Sequence, residues 1–199
     1  MSRTALVVID IQESFRVRPN WQLVNHPDIA ERAGRLVAAA RNAGDLVIWV
    51  LHTEPGTGTV FDPASGHVRL LEGLEAADGE CVITKTSHNA FTTTNLQQIL
   101  TEHGVAKIVV CGIRTEQCCE TTARVGSDLG YAVDFVTEAT ATMALPHRSM
   151  PADATVDEIL ADPRTLSAET VAERTEYVLA GRFVTIRTID ELTAVPVPS

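Results

Sequence analysis

Residues 107–131 read KIVVCGIRTEQCCETTARVGSDLGY, and the fold follows from how this stretch divides. Ile108-Val109-Val110-Cys111 is an unbroken apolar run, the pattern of a strand buried on both faces of a parallel sheet. Gly112 is read as the end of that run, and Thr115 as the N-cap of a helix, since its hydroxyl can accept from free first-turn amides. Glu116 suits the positive end of the helix, and Gly130 its C-terminal stop. Cys118 therefore lies in the first turn of a helix that directly follows a buried strand. Unpaired amides there favour thiolate, the nucleophilic form. Cys119 points about a quarter-turn or more away, so only one of the two can face a given pocket. Cys111 and Cys81 read as small, inert, buried groups.

Outward from this centre, apolar strand-like runs alternate with helical spacing. Strands are expected at Thr4–Ile9, Leu46–Leu51, Cys81–Thr84, Ala132–Val136 and Phe183–Ile186. Helices are expected at Pro27–Ala43, Leu96–His103 and Ser167–Leu179, with a short one around Val68–Leu74. Thr53–Gly66 is a loop rich in Gly, Pro and Thr. Residues 143–164 hold three prolines and one possible helical turn near Val156–Leu160. That is long for a slack connection, so a lid or subunit contact is expected there. The alternation gives one α/β domain over 1–199, three layers deep, Rossmann-like, around a six-stranded and mostly parallel sheet. Strand order is not visible in the sequence.

Composition narrows the partners. The 199 residues, 45% hydrophobic, suffice for one sizeable core. With 16 Lys+Arg against 26 Asp+Glu the net charge is −10, which argues against nucleic acid and anionic membrane surfaces. The first apolar run is too short for a signal segment or a membrane span, and Asp10 interrupts it. Four cysteines without CxxC spacing point to reduced thiols and the cytoplasm.

Ligands of open parallel sheets bind beyond the carboxyl ends of the strands. Asp10, Lys85 and Cys118 fall at that edge, and they meet if the first strand lies beside the fourth. A carboxylate can take the thiol proton, a nearby lysine stabilises both anions, and first-turn amides can hold an oxyanion. Phe15, Trp21, Phe61 and Phe91 lie on segments leaving the edge, where each could wall a pocket or pack in the core. Arg114 could pair with a substrate carboxylate or with a neighbouring Glu. His88 has the same ambiguity.

These segments resemble a known family. Val8-Ile9-Asp10-Ile11-Gln12-Glu13-Ser14-Phe15 resembles the opening motif of the isochorismatase-like cysteine hydrolases. Val82-Ile83-Thr84-Lys85, with Asn89-Ala90-Phe91 and Asn95-Leu96, resembles their lysine segment, and Val110 to Cys118 their nucleophile segment. The resemblance implies a six-stranded parallel sheet and a catalytic triad of Asp10, Lys85 and Cys118. It also implies a cis peptide between Ile113 and Arg114, an oxyanion hole from the Arg114 and Cys118 amides, and assembly into a homo-oligomer. Nicotinamidases of this family carry a metal set after the second strand. Here His52-Thr53-Glu54, Asp62 and His67 do not reproduce it, so no metal and no cofactor are expected. Glu116-Gln117 and Cys119-Glu120 depart from the apolar residues more common in members.

The retained Cys118 favours hydrolysis at a carbonyl carbon, since members acting on isochorismate can dispense with the cysteine. The expected activity is cleavage of a non-peptide C–N bond in a small amide, ureido or carbamoyl compound through a thioester. Vinyl-ether hydrolysis is one alternative. A non-catalytic, partner-binding protein with Cys118-Cys119 as an oxidation sensor is another. A nucleotide-binding domain is disfavoured, because neither G-x-G-x-x-G nor G-K-[ST] occurs.

Overall fold

The computed structural model describes residues 3–194. Six parallel strands form one sheet in the order β3-β2-β1-β4-β5-β6. They are β1 (Arg3–Ile9), β2 (Leu46–His52), β3 (Cys81–Lys85), β4 (Val105–Ile113), β5 (Ala132–Ala141) and β6 (Thr185–Ile186). The order reverses between β1 and β4, which puts the ends of these two central strands at the switch point.

Alternation along the strands divides the core between two layers. On one face Leu6, Val8, Val47 and Trp49 pack against α2 (Ile29–Ala43) and α7 (Ile189–Thr193). On the other, Ala5, Val7, Ile9 and Val110 meet α3 (Leu96–Glu102), α4 (Glu120–Asp128) and α6 (Ala168–Leu179). Ser167 caps α6 by accepting from the Thr170 amide. Two short helices complete the set, α1 (Glu13–Arg16) and α5 (Val156–Ala161). No helix among the described residues is long and apolar enough to cross a membrane.

Several local expectations are corrected. Gly112 does not end β4: it pairs with Ile9 of β1 inside the ladder, and the strand runs on to Ile113. A Cβ on Gly112 would lie 2.0 Å from the Ile9 carbonyl oxygen, so glycine there permits two backbones to approach. Thr115 is not an N-cap. Thr115–Cys119 is a π-helical turn that leads into α4, and the Thr115 hydroxyl donates to Thr140 Oγ1 at 2.8 Å. Val68–Leu74 is not helical: Leu70 forms an antiparallel bridge with Gln12, which ties this segment to the end of β1. β5 extends five residues past the expected Val136, to Ala141.

Within 143–164, Leu145 bridges Leu166, and α5 is closed by a capping box of Thr155 and Glu158. Val156 and Ile159 pack on the first core layer.

Candidate active site

β1 delivers Asp10 to the switch point in an unusual backbone conformation. Its φ of 54° is left-handed, making Asp10 the one non-glycine residue with positive φ among those described. This region is unfavourable for a side chain. The Asp10 amide donates to the Val50 carbonyl at 2.8 Å, which fixes the turn against β2. Register then places the partners. His52 pairs with Lys85 across β2 and β3, and Ile9 with Gly112 across β1 and β4.

The side chains converge as the strand edge predicts. Lys85 Nζ lies 2.7 Å from Asp10 Oδ2 and 3.4 Å from Cys118 Sγ, and it donates to the Ser87 carbonyl at 3.1 Å. Asp10 and Lys85 are fully buried, and Cys118 is 6% exposed. The lysine approaches Asp10 as a close ion pair away from the best hydrogen-bonding direction, so both carboxylate oxygens remain without an aligned donor. Such an oxygen is free to take a proton. The Ile113–Arg114 peptide beside this cluster is cis.

Burial dominates the electrostatics. It raises the Asp10 carboxyl above its ordinary value, and the charge of Lys85 only partly opposes this. For Lys85, burial acts to lower the ammonium, but attraction to Asp10 and Cys118 outweighs it and the net direction is upward. Burial, reinforced by the Asp10 charge, pushes the Cys118 thiol up to about 12. This corrects the expectation of a thiolate set by first-turn amides: the π turn carries Cys118 into a desolvated site, and its resting form is the thiol. Burial also pushes Cys111 up to about 12 and Cys119 well above its ordinary value.

The surrounding residues separate into two groups. Phe15 and Phe61 meet edge-on at 5.0 Å, and Phe61 meets the His52 ring edge-on at 5.5 Å, which links this wall to the lysine. Arg18 lies over the Phe61 ring at 5.9 Å. Phe91 instead stacks on Tyr131 in the opposite core layer, and Trp21 packs on the first layer from a 3₁₀ turn. His88 is exposed. Arg114 pairs with Glu116 at 2.9 Å, while Thr142 donates to that carboxylate at 2.6 Å. Burial lowers the Arg114 guanidinium, Glu116 opposes the fall, and nearby Arg18 adds to it.

Sequence reasoning weighed His52 only against a metal set and not as a partner of Lys85. Its Nδ1 lies 3.4 Å from Lys85 Nζ, and its Nε2 lies 3.4 Å from Glu54 Oε1. The signal was present, because His52 ends β2 as Lys85 ends β3. Gln12 was likewise unread as a brace. Its side chain accepts from the His52 amide at 2.7 Å and donates to the His52 carbonyl at 3.0 Å. Among the described residues no three His, Cys, Asp or Glu side chains are grouped to hold a metal ion.

Known proteins share this arrangement of chain. The family model described as the Isochorismatase domain matches residues 4–165. The isochorismatase family protein YddQ of Bacillus subtilis is 36% identical over 143 residues, covering 71% of this chain and 79% of that protein. Nicotinamidase 3 of Arabidopsis thaliana is 44% identical over 148 residues, covering 69% and 73%. A streptothricin hydrolase of Streptomyces noursei is 33% identical over 142 residues, covering 71% of this chain and 51% of its own length. Among solved structures, a cysteine hydrolase from Pseudomonas syringae pv. phaseolicola superposes with a TM-score of 0.82 at 26% identity, covering 96% of this chain and 91% of that one. With the family model spanning most of its length, this chain belongs to the isochorismatase-like cysteine hydrolase superfamily.

Proposed function

We propose that the chain is a cysteine hydrolase that cleaves a non-peptide C–N bond in a small amide, ureido or carbamoyl compound. The observation that carries this reading is the buried cluster of Asp10, Lys85 and Cys118, with a lysine within 3.4 Å of both the carboxylate and the sulfur. Because burial raises Asp10, it is a stronger base than a surface carboxylate. Because Cys118 rests as a thiol, its proton leaves as Sγ attacks the carbonyl carbon. Asp10 takes that proton and Lys85 offsets the charge growing on sulfur. The Arg114 and Cys118 amides hold the oxyanion. As the tetrahedral intermediate collapses, the C–N bond breaks and Asp10 returns the proton to the leaving nitrogen. Water then attacks the thioester and gives its proton to Asp10, which passes it to the departing Cys118 sulfur.

Relatives support the choice of bond: nicotinamide, named in one of them, is an amide. Charge beside the cluster adds a preference among substrates. Glu116 neutralises Arg114, whereas Arg18 over Phe61 contributes a further positive charge. A substrate that carries a carboxylate away from the scissile bond fits this charge.

Intact-mass spectrometry tests the reading. Wild type and Cys118→Ala are incubated briefly with a pool of small amides, ureides and carbamoyl compounds. An acyl increment on wild type alone is expected, and its mass weighs the acyl group. Turnover by Cys118→Ala would sink the mechanism, and neither adduct nor turnover across the pool would shift weight to vinyl-ether chemistry.

A further inference from the structure

We infer that His52 is a positioning residue of this site, a neutral imidazole whose Nδ1 lone pair holds the Lys85 ammonium in place and whose protonation disables the cluster. The inference rests on the Asp10-Lys85-Cys118 reading but not on which bond is cleaved.

Hydrogen-bond bookkeeping assigns the tautomer. An ammonium has three N–H donors and no acceptor. Lys85 Nζ has three hydrogen-bond partners, the Ser87 carbonyl at 3.1 Å, Cys118 Sγ at 3.4 Å and His52 Nδ1 at 3.4 Å, beside its ion pair with Asp10 Oδ2 at 2.7 Å. Nδ1 can therefore take part only as a lone pair, which places the ring proton on Nε2. That nitrogen points to the Glu54 carboxylate at 3.4 Å, the acceptor such a proton needs. Glu54 is itself held, accepting from Thr59 Oγ1 at 2.9 Å.

Backbone clamps and one aromatic neighbour hold His52 in place. Gln12 clamps both backbone groups of His52, and its own Nε2 also donates to Ser14 Oγ at 2.9 Å. Phe61 packs edge-on against the imidazole. The charged groups facing it are Lys85 from β3, Asp10 from β1 and Glu54 from its own loop, while Cys118 of the π turn faces the same ammonium. Burial and then Lys85 press the imidazole below its ordinary value of 6.5, with Asp10 and Glu54 in opposition. That direction favours the neutral ring, in keeping with its place as acceptor beside the ammonium. Its protonation would remove the acceptor and set two cations side by side, driving the lysine from Asp10 and Cys118.

Two arms test this. The first needs no substrate: ¹⁵N-histidine NMR of the wild-type protein, with His52→Gln identifying the resonance among six histidines. The expected result is an Nε2–H tautomer that titrates below 6.5, and a higher midpoint in Lys85→Met, which removes one of the two causes that lower it. An Nδ1–H tautomer, a midpoint at or above 6.5, or a midpoint unmoved by Lys85→Met overturns the inference. The second arm uses whichever compound acylates the enzyme. His52→Ala should lose about tenfold or more in acylation rate. His52→Gln keeps an acceptor that does not titrate, so its acid limb should move to lower pH. An acid limb identical to wild type in His52→Gln overturns the inference. If nothing acylates the enzyme, the C–N reading falls and the first arm still decides.

Discussion

Gly112→Ala should separate the architecture of the switch point from ordinary sheet packing. The new Cβ would lie 2.0 Å from the Ile9 carbonyl oxygen, 2.8 Å from its carbonyl carbon and 2.9 Å from its Cα. All three are backbone atoms of the neighbouring central strand, so no side chain can swing aside. Restoring ordinary contact requires about 1.5 Å of backbone separation, and β1 and β4 are paired through this position. Overpacking of this kind costs about 1–3 kcal/mol, and a side chain at φ of +140° adds about 1–3 kcal/mol of backbone strain. In a domain of this size each kcal/mol lowers Tm by about 2–4 °C, so a fall of about 5–20 °C is expected by the same scaling. Ile9 leads directly into Asp10, and a displacement of about 1 Å there should also slow acylation by about a hundredfold. Gly44→Ala is the control: φ is +72° and nothing lies within 4 Å of the added carbon, so only about 1 kcal/mol of strain applies. Both variants are melted side by side by circular dichroism and assayed for the acyl adduct. A Gly112→Ala protein that melts with Gly44→Ala and acylates at the wild-type rate would refute the close approach.

Lys85→Ala should reduce acylation by about a thousandfold, measured by intact mass over time; retention of most of the rate would remove Lys85 from the mechanism. Arg18→Glu should raise KM for a carboxylate-bearing substrate about tenfold and leave kcat within about twofold; an unchanged KM would show that Arg18 does not read the substrate. Glu80 supplies a pH test of the scaffold. Burial alone would raise it, but Arg41, Trp49 Nε1 and the Ala77 amide outweigh that and hold it down at about 2. A depressed carboxyl stabilises the fold above its ordinary value of 4.5, and that contribution is lost as pH falls towards about 2. Urea unfolding at pH 6 should therefore show Glu80→Gln less stable than wild type, with the gap narrowing as pH falls below 4.5 towards about 2; a gap independent of pH would contradict the assignment.

The parts of this molecule legible in its sequence are those that a single chemical rule decides. Unbroken apolar runs marked the strands, and a charged residue at the end of such a run marked the ligand edge, which is why Asp10 and Lys85 stood out. Helices α5 and α7 carry Thr155 with Glu158 and Thr188 with Glu191 as complete capping boxes. That signal was readable, yet only a turn near the first was expected and the second was passed over. The features that escaped depend on pairing between distant segments. Leu70 belongs to a bridge because Gln12 is beside it, and Gly112 is inside a strand because Ile9 is beside it. His52 joins the cluster through its register with Lys85. No local periodicity encodes these neighbours.

The costs of the fold point to the same place as its chemistry. Burying Asp10 with Lys85 is weak as a source of stability, because desolvation of two ions offsets their attraction. Asp10 adds a left-handed backbone, and β4 must carry a glycine for its neighbour Ile9 to approach. Each feature alone has ordinary precedents in turns and ion pairs. Together they gather at the end of β1, on Asp10 just past it and on Gly112 of β4 beside Ile9, at the point where the sheet order reverses. A scaffold under selection for stability alone would replace such a cluster with packed apolar side chains. Strain and buried charge persist where they hold a reacting group in place, so the concentration of cost around Asp10 supports, independently of any relative, the role proposed for this carboxylate.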